Sequence, residues 1–108
     1  MSLSYGWEKF HSAVLTLTGE GTVKERLANA YIFSLLHITP NEDLPNVLQA
    51  DFEKLVQQVT HVAPAAQEGA VEATVNQLGE VELLLITEKI VGMYDDLCRH
   101  LAFENGAP

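Results

Sequence analysis

The sequence has little positive charge, a single cysteine and no long apolar run. Only six of its 108 residues are Lys or Arg, against fifteen Asp and Glu, and the formal net charge is −9. Because an acidic surface repels phosphate backbones, we do not expect direct binding to DNA or RNA. Two interpretations of the acidity remain open: an ordinary solvated surface, or an acidic face that meets a basic partner.

The single cysteine and the absence of long apolar runs also indicate the cellular compartment in which the protein is expected. The one thiol, Cys98, cannot form an intrachain disulfide, so a reducing compartment is expected. The start of the chain lacks the basic residues and the hydrophobic stretch of a signal peptide. No apolar run approaches the roughly 18 to 20 residues that span a bilayer. We therefore expect a cytoplasmic protein that does not contact a membrane.

The composition is that of one globular domain. The apolar fraction is 47%, and a folded chain of this size buries roughly two thirds of the surface that it exposes when unfolded. No internal repeat or low-complexity segment divides the chain. A single domain over 1–108 is expected, with 102–108 as a frayed tail.

Apolar residues recur at the spacing of a helix in the first half of the chain, and the strict apolar–polar alternation that is typical of strands does not persist. An apolar stripe predicts a first helix over 4–17. Thr22 and Glu25 have the spacing of a capping box, which predicts a second helix over 23–38 that Pro40 closes. Further helices follow in the same way.

A third helix and the C-terminal half complete the pattern. Asp43 is predicted to be the N-cap of an amphipathic helix that ends near Val62. An unbroken helix over 70–101 would be about 48 Å long and would need another subunit to cover it. We instead predict a break at Gly79, which can act as an N-cap with Glu82 at the third position, and a last helix over 80–101.

Two apolar runs set the expected architecture. Residues 28–38 and 81–90 are apolar on more than one face, so each requires cover on more than one side. We expect them to form the paired centre of the protein. The fold class predicted is all-α, an up-down antiparallel helical bundle of four to five helices.

No motif points to a reaction, and no catalytic residue, cofactor or metal ligand is assigned. Glu8 and His11 have the Glu-x-x-His spacing of di-iron bundles, but no second copy of the motif exists. Asp96 and His100 share a helical face, which a solvated surface explains better. Cys98 is expected to be buried and inert, because neighbouring cations on a helix point away from it.

Several segments resemble short all-helical bacterial proteins of uncharacterised function. They are Trp-Glu-Lys-Phe-His-Ser-Ala-Val at 7–14, Lys-Glu-Arg-Leu-Ala-Asn-Ala-Tyr at 24–31 and the Glu-Asp-Leu-Pro turn at 42–45. The resemblance covers most of the chain and implies a bacterial or mobile-element source. It brings no catalytic residue with it.

Three functional hypotheses remain. The leading one is a non-enzymatic protein-interaction or regulatory module that forms a homodimer, because the second and last helices carry more apolar surface than four or five short helices cover. Its expected contact residues are Phe33, Leu36, Leu84 and Val91. The second is an acidic inhibitor or nucleic-acid mimic that occupies a basic groove. The third is a metal-binding or enzymatic helical bundle.

Overall fold

The computed structural model describes residues 2–64 and 69–104, and within these ranges all regular secondary structure is helical, with no strand. The helices are α1 (Leu3–Leu17), α2 (Val23–Phe33), α3 (Pro40–Asp43), α4 (Asn46–Thr60), α5 (Ala70–Asn76) and α6 (Glu80–Glu104), with a 3₁₀ turn at Leu35–His37. Within the same ranges, no helix combines the length and apolarity that crossing a bilayer requires. The all-α class is confirmed.

Helix α1 lies between α2 and α6 and contacts each of them far more than they contact each other. Its side chains Phe10 and Ala13 are fully buried. Trp7 is hydrogen-bonded to Cys98, and His11 is hydrogen-bonded to Tyr94. Because the residue number rises along α1 as it falls along α6, the two helices run antiparallel. Helices α2 and α6 do contact each other, but each packs mainly on α1, so the two apolar runs do not form the paired centre that was expected.

The second helix ends at Phe33 rather than at residue 38. Ser34 leaves the helical conformation with φ −129° and ψ −67°, and the 3₁₀ turn follows. Residues three apart share a side of a 3₁₀ turn, so Leu35 and Ile38 both reach the core, where they are 1% and 7% exposed. Burial of these two side chains outweighs continuation of the α-helix.

Asp43 does not act as the N-cap of the third predicted helix. It ends the short helix α3, and α4 begins at Asn46. Its carboxylate is buried and accepts hydrogen bonds from the backbone N–H of Thr39 at 2.8 Å and of Ser2 at 3.1 Å. Burial acts to raise the pKa of Asp43, but these hydrogen bonds hold it below its usual range. One side chain thus satisfies the N-terminal ends of α3 and α1.

Two predicted helix starts are confirmed. Thr22 and Glu25 form both hydrogen bonds of a capping box, at 2.8 and 3.1 Å. The helix is interrupted at Gly79, as predicted, and the N–H of Gly79 donates to Glu82 Oε1 at 3.0 Å at the start of α6. At its other end α6 extends to Glu104, three residues beyond the predicted end at 101, and residues 105–108 of the expected tail lie outside the described residues.

The core joins five helices around and including α1, while α3 contributes no apolar side chain to it. Phe10 meets Phe52 of α4 edge-on, with ring centroids 6.0 Å apart. The buried apolar residues that surround this pair come from every part of the described chain and include Leu27, Leu35, Leu48, Leu55, Val59, Val75, Leu83, Ile86, Ile90, Met93 and Leu97. The residues of α6 in this list recur every three or four positions from Leu83 to Leu97 and form its inner face.

Gly6→Ala should destabilise the fold, because a Cβ on Gly6 would lie 2.3 Å from the carbonyl oxygen of Asp43 and would force α1 away from α3. We expect a loss of about 2–4 kcal/mol in the free energy of unfolding, measured by urea denaturation. The control is Gly92→Ala in α6, where a Cβ meets no atom of the same chain within 4 Å, with both variants compared at a concentration low enough to keep the protein monomeric. It should stabilise the protein by up to about 1 kcal/mol. Equal effects of both variants would contradict the close packing at Gly6.

Candidate functional site

Helix α6 carries more exposed large apolar side chains than any other described helix. The inner face packs on α1, α2 and α4, and the opposite side of its first half projects into solvent. There Val81 is 70% exposed, Leu84 57%, Leu85 58% and Val91 44%. We call these four residues the α6 outer patch. By helical spacing they share one side of the helix with Glu88.

The four predicted contact residues are all exposed but belong to two different surfaces. Leu84 and Val91 belong to the α6 outer patch. Phe33, which is 69% exposed, ends α2, and Leu36, which is 54% exposed, lies in the 3₁₀ turn. Leu36 lines a groove of about 440 Å³ with Phe52 and other residues of α4. The sequence identified exposed apolar positions without showing that they lie on separate elements.

A groove of about 640 Å³ adjoins the outer patch where the starts of α2 and α6 meet the end of α1. Leu17, Val23 and Leu84 line its apolar part. Two cations at its edge already have partners: Lys24 Nζ donates to the carbonyl of Asn76, and Arg26 Nε to the carbonyl of Leu17, both at 2.9 Å. The groove therefore extends the apolar surface of α6 onto α2.

The antiparallel contact between α1 and α6 contains a polar aromatic cluster that the sequence did not predict. Trp7 Nε1 donates to Cys98 Sγ at 3.2 Å, and His11 Nδ1 lies 2.7 Å from Tyr94 Oη. The rings of Trp7 and His11 stack with centroids 4.7 Å apart. The spacing of four residues in both pairs was visible, but no sequence signal showed that the two helices align in this register.

This cluster holds the two helices together and gives its polar atoms partners. Cys98 is half-buried rather than fully buried, and it accepts a hydrogen bond from an indole instead of facing a cation. Burial, and then the neighbouring Cys98, raise the pKa of Tyr94. A neutral phenol bonded to an imidazole fits a packing role between helices.

The two metal-binding pairs considered from the sequence are not extended by a third ligand. Over the described ranges, no group of three or more His, Cys, Asp or Glu side chains is placed to hold a metal ion. Glu8 is exposed, while His11 is half-buried against Trp7 and Tyr94. A third histidine, His61, lies at the end of α4, where its Nδ1 is 3.2 Å from the carbonyl oxygen of Gln57.

Three of the acidic side chains near α5 and α6 are engaged within the chain. Glu82 caps the start of α6, Glu72 accepts from the N–H of Gly69 at the start of α5, and Asp95 pairs with Arg99 at 3.1 Å. Several carboxylates in this part of the molecule thus serve helix ends or an ion pair.

Comparison with known proteins gives no relative. No family model, no curated protein and no solved structure matches this chain. The function must therefore be argued from the surface of this protein itself.

Tyr94→Phe should lower the free energy of unfolding at neutral pH and reduce the loss of stability at alkaline pH. The lost hydrogen bond to His11 is worth about 1 kcal/mol. Tyrosines of the unfolded chain ionise near about pH 10, whereas the raised pKa delays ionisation of folded Tyr94. Above about pH 10 the unfolded state thus loses protons first, and stability falls as the pH rises.

Urea denaturation between about pH 8 and about pH 11 measures both effects. The wild type should lose stability above the ordinary tyrosine pKa and not below it. Tyr94→Phe should show a smaller loss, and the part that remains comes from Tyr31, whose pKa burial also raises. An identical alkaline loss in the wild type and in Tyr94→Phe would contradict the assigned environment of Tyr94.

Proposed function

We propose that this chain is a non-enzymatic protein-interaction or regulatory module that works as a cytoplasmic homodimer. The observation that supports it is the α6 outer patch. Monomeric proteins rarely leave contiguous apolar surface beyond a few hundred Å² uncovered, and a rim of polar residues around such a patch is typical of protein contacts. A second copy of the chain would cover this patch on both molecules with one contact, because a two-fold interface buries the same face of each copy.

In this proposal the scaffold is an up-down bundle of the four longest helices, α1, α2, α4 and α6. The inner faces of these helices form the core of the protein, and the outer face of α6 remains available for contact with another molecule. The second exposed surface, at Phe33 and Leu36, is available to a different protein. A homodimer would present two copies of that surface.

The acidic-mimic hypothesis is the second candidate, supported by the net charge of −9. It requires a continuous array of carboxylates that behave as free anions. Glu72 and Glu82 are instead engaged at helix starts, and Asp95 has a cation partner. We therefore place it behind the homodimer.

Leu84→Glu should prevent dimerisation, because a carboxylate placed in an apolar contact would lose its hydration without gaining a partner. We expect association to weaken by about tenfold to a hundredfold, a penalty of about 1.4 to 3 kcal/mol. Sedimentation velocity at tens of micromolar measures it. The matched control is Val47→Glu, since Val47 is 69% exposed on α4 and lies outside the patch.

The control variant should dimerise as the wild type does, and both variants should retain their helical circular dichroism. A wild type that stays strictly monomeric at these concentrations would overturn the homodimer. A wild-type dimer that Leu84→Glu leaves intact, but that Phe33→Ser combined with Leu36→Ser dissociates, would move the contact to the end of α2.

A further inference from the structure

We infer that the second copy packs along the outer face of α6 as an antiparallel helix pair, with Glu88 of each copy against Arg99 of the other. This inference rests on the proposed homodimer and specifies its geometry. The geometry follows from the order of residue types along one exposed side of a single helix.

The outer side of α6 changes character along its length. Its first half is apolar, with Val81, Leu84 and Leu85, and its last turn is again apolar, with Phe103 85% exposed. Between these ends the helical spacing of three and four residues places charged or small residues on the same side, namely Glu88, Gly92, Asp95 and Arg99. The two apolar ends are separated by a mixed-charge middle.

An antiparallel pair matches these zones with each other. When Glu88 faces Arg99 of the other copy, the same register brings Leu84 opposite Phe103 and Leu85 opposite Ala102. Two-fold symmetry repeats every contact, so Leu84, Leu85 and Phe103 of each helix are covered and both Glu88–Arg99 pairs form, while Val91 lies opposite Asp96 at the edge of the contact.

The pairing of Glu88 with Arg99 can only occur between molecules. Eleven residues separate them on one helix, which is about 16 Å of helical rise. Arg99 does pair with Asp95 of its own chain at 3.1 Å, but their side chains are 77% and 58% exposed. Such an exposed pair is weak, so it does not prevent Arg99 from binding a second carboxylate.

Other alignments of the two helices bring like charges together. A parallel pair in register sets Glu88 beside Glu88 and Arg99 beside Arg99. An antiparallel pair centred on Glu88 also sets the two carboxylates together at the axis. In the register described above, the carboxylates nearest the axis are those of Asp95, but each lies opposite Gly92 and is paired with Arg99 of its own chain. Repulsion between like charges therefore disfavours the other two alignments more strongly.

Gly92 lies close to the crossing point of this register. Gly92 has no side chain, and a Cβ built on it would meet no atom within 4 Å, so the backbone of α6 is exposed at this position. The distance between two packed helices depends on the side chains at their contact. A glycine near the axis therefore lets the two helices approach and brings Leu84 and Phe103 into contact.

Charge reversal tests the register. Glu88→Arg alone and Arg99→Glu alone each create two like-charge contacts per homodimer, and we expect each to weaken dimerisation by about tenfold or more. The combination of both substitutions in one chain should restore the wild-type association to within about threefold. Sedimentation equilibrium gives the dissociation constants, and circular dichroism verifies the fold.

A mixture of the two single variants provides a stricter test. A heterodimer of Glu88→Arg with Arg99→Glu contains two opposite-charge contacts, so mixing two weakly associating proteins should produce a dimer of near wild-type affinity. Glu53→Arg, a charge reversal at an exposed position of α4, is the control and should leave association unchanged.

The outcomes separate this inference from the proposed function. Rescue in the double variant and in the mixture supports the antiparallel register. A wild-type dimer without rescue, or one insensitive to the single reversals, overturns the register and leaves the homodimer standing. A wild type that is monomeric throughout, or that is captured only as a complex with a different protein, overturns both.

Discussion

The fold depends on the burial of α1 from several sides at once. Phe10 and Ala13 have no solvent exposure, and Gly6 packs so closely on the backbone of Asp43 that a methyl group would not fit. Because α1 occupies the centre, α2 and α6 lie on different sides of it and share little surface. The apolar surplus of α6 therefore has no partner within the chain, which is the origin of the exposed patch.

The length of α6 adds to this effect. Its 25 residues correspond to about 37 Å, against a longest molecular dimension of 48 Å. Helices α1, α2 and α4 cover its inner side, and the cluster around Trp7 and Tyr94 fixes its rotation about its own axis. With the rotation fixed, Leu84 and Val91 cannot turn inward without exposing Ile90 and Met93. The outer patch is thus imposed by the packing of the inner face.

Local signals were read correctly from the sequence, whereas long-range contacts were not. The capping box at Thr22 and the break at Gly79 were predictable because each depends on residues three apart. The early end of α2 was missed because it results from burial of Leu35 and Ile38. Asp43 was misassigned because its partner Ser2 is distant in sequence, and short-range capping rules carry no information about such contacts.

The position of Glu88 connects the charge of the protein to its proposed assembly. In a single chain an exposed carboxylate among Leu84, Leu85 and Val91 costs almost nothing, because water solvates it. In a face-to-face contact the same carboxylate requires a cation, and the chain has six Lys and Arg in all. Arg99 supplies that cation only in one alignment of two antiparallel helices. A residue that is neutral for folding would then discriminate among ways of associating, at the expense of some contact energy.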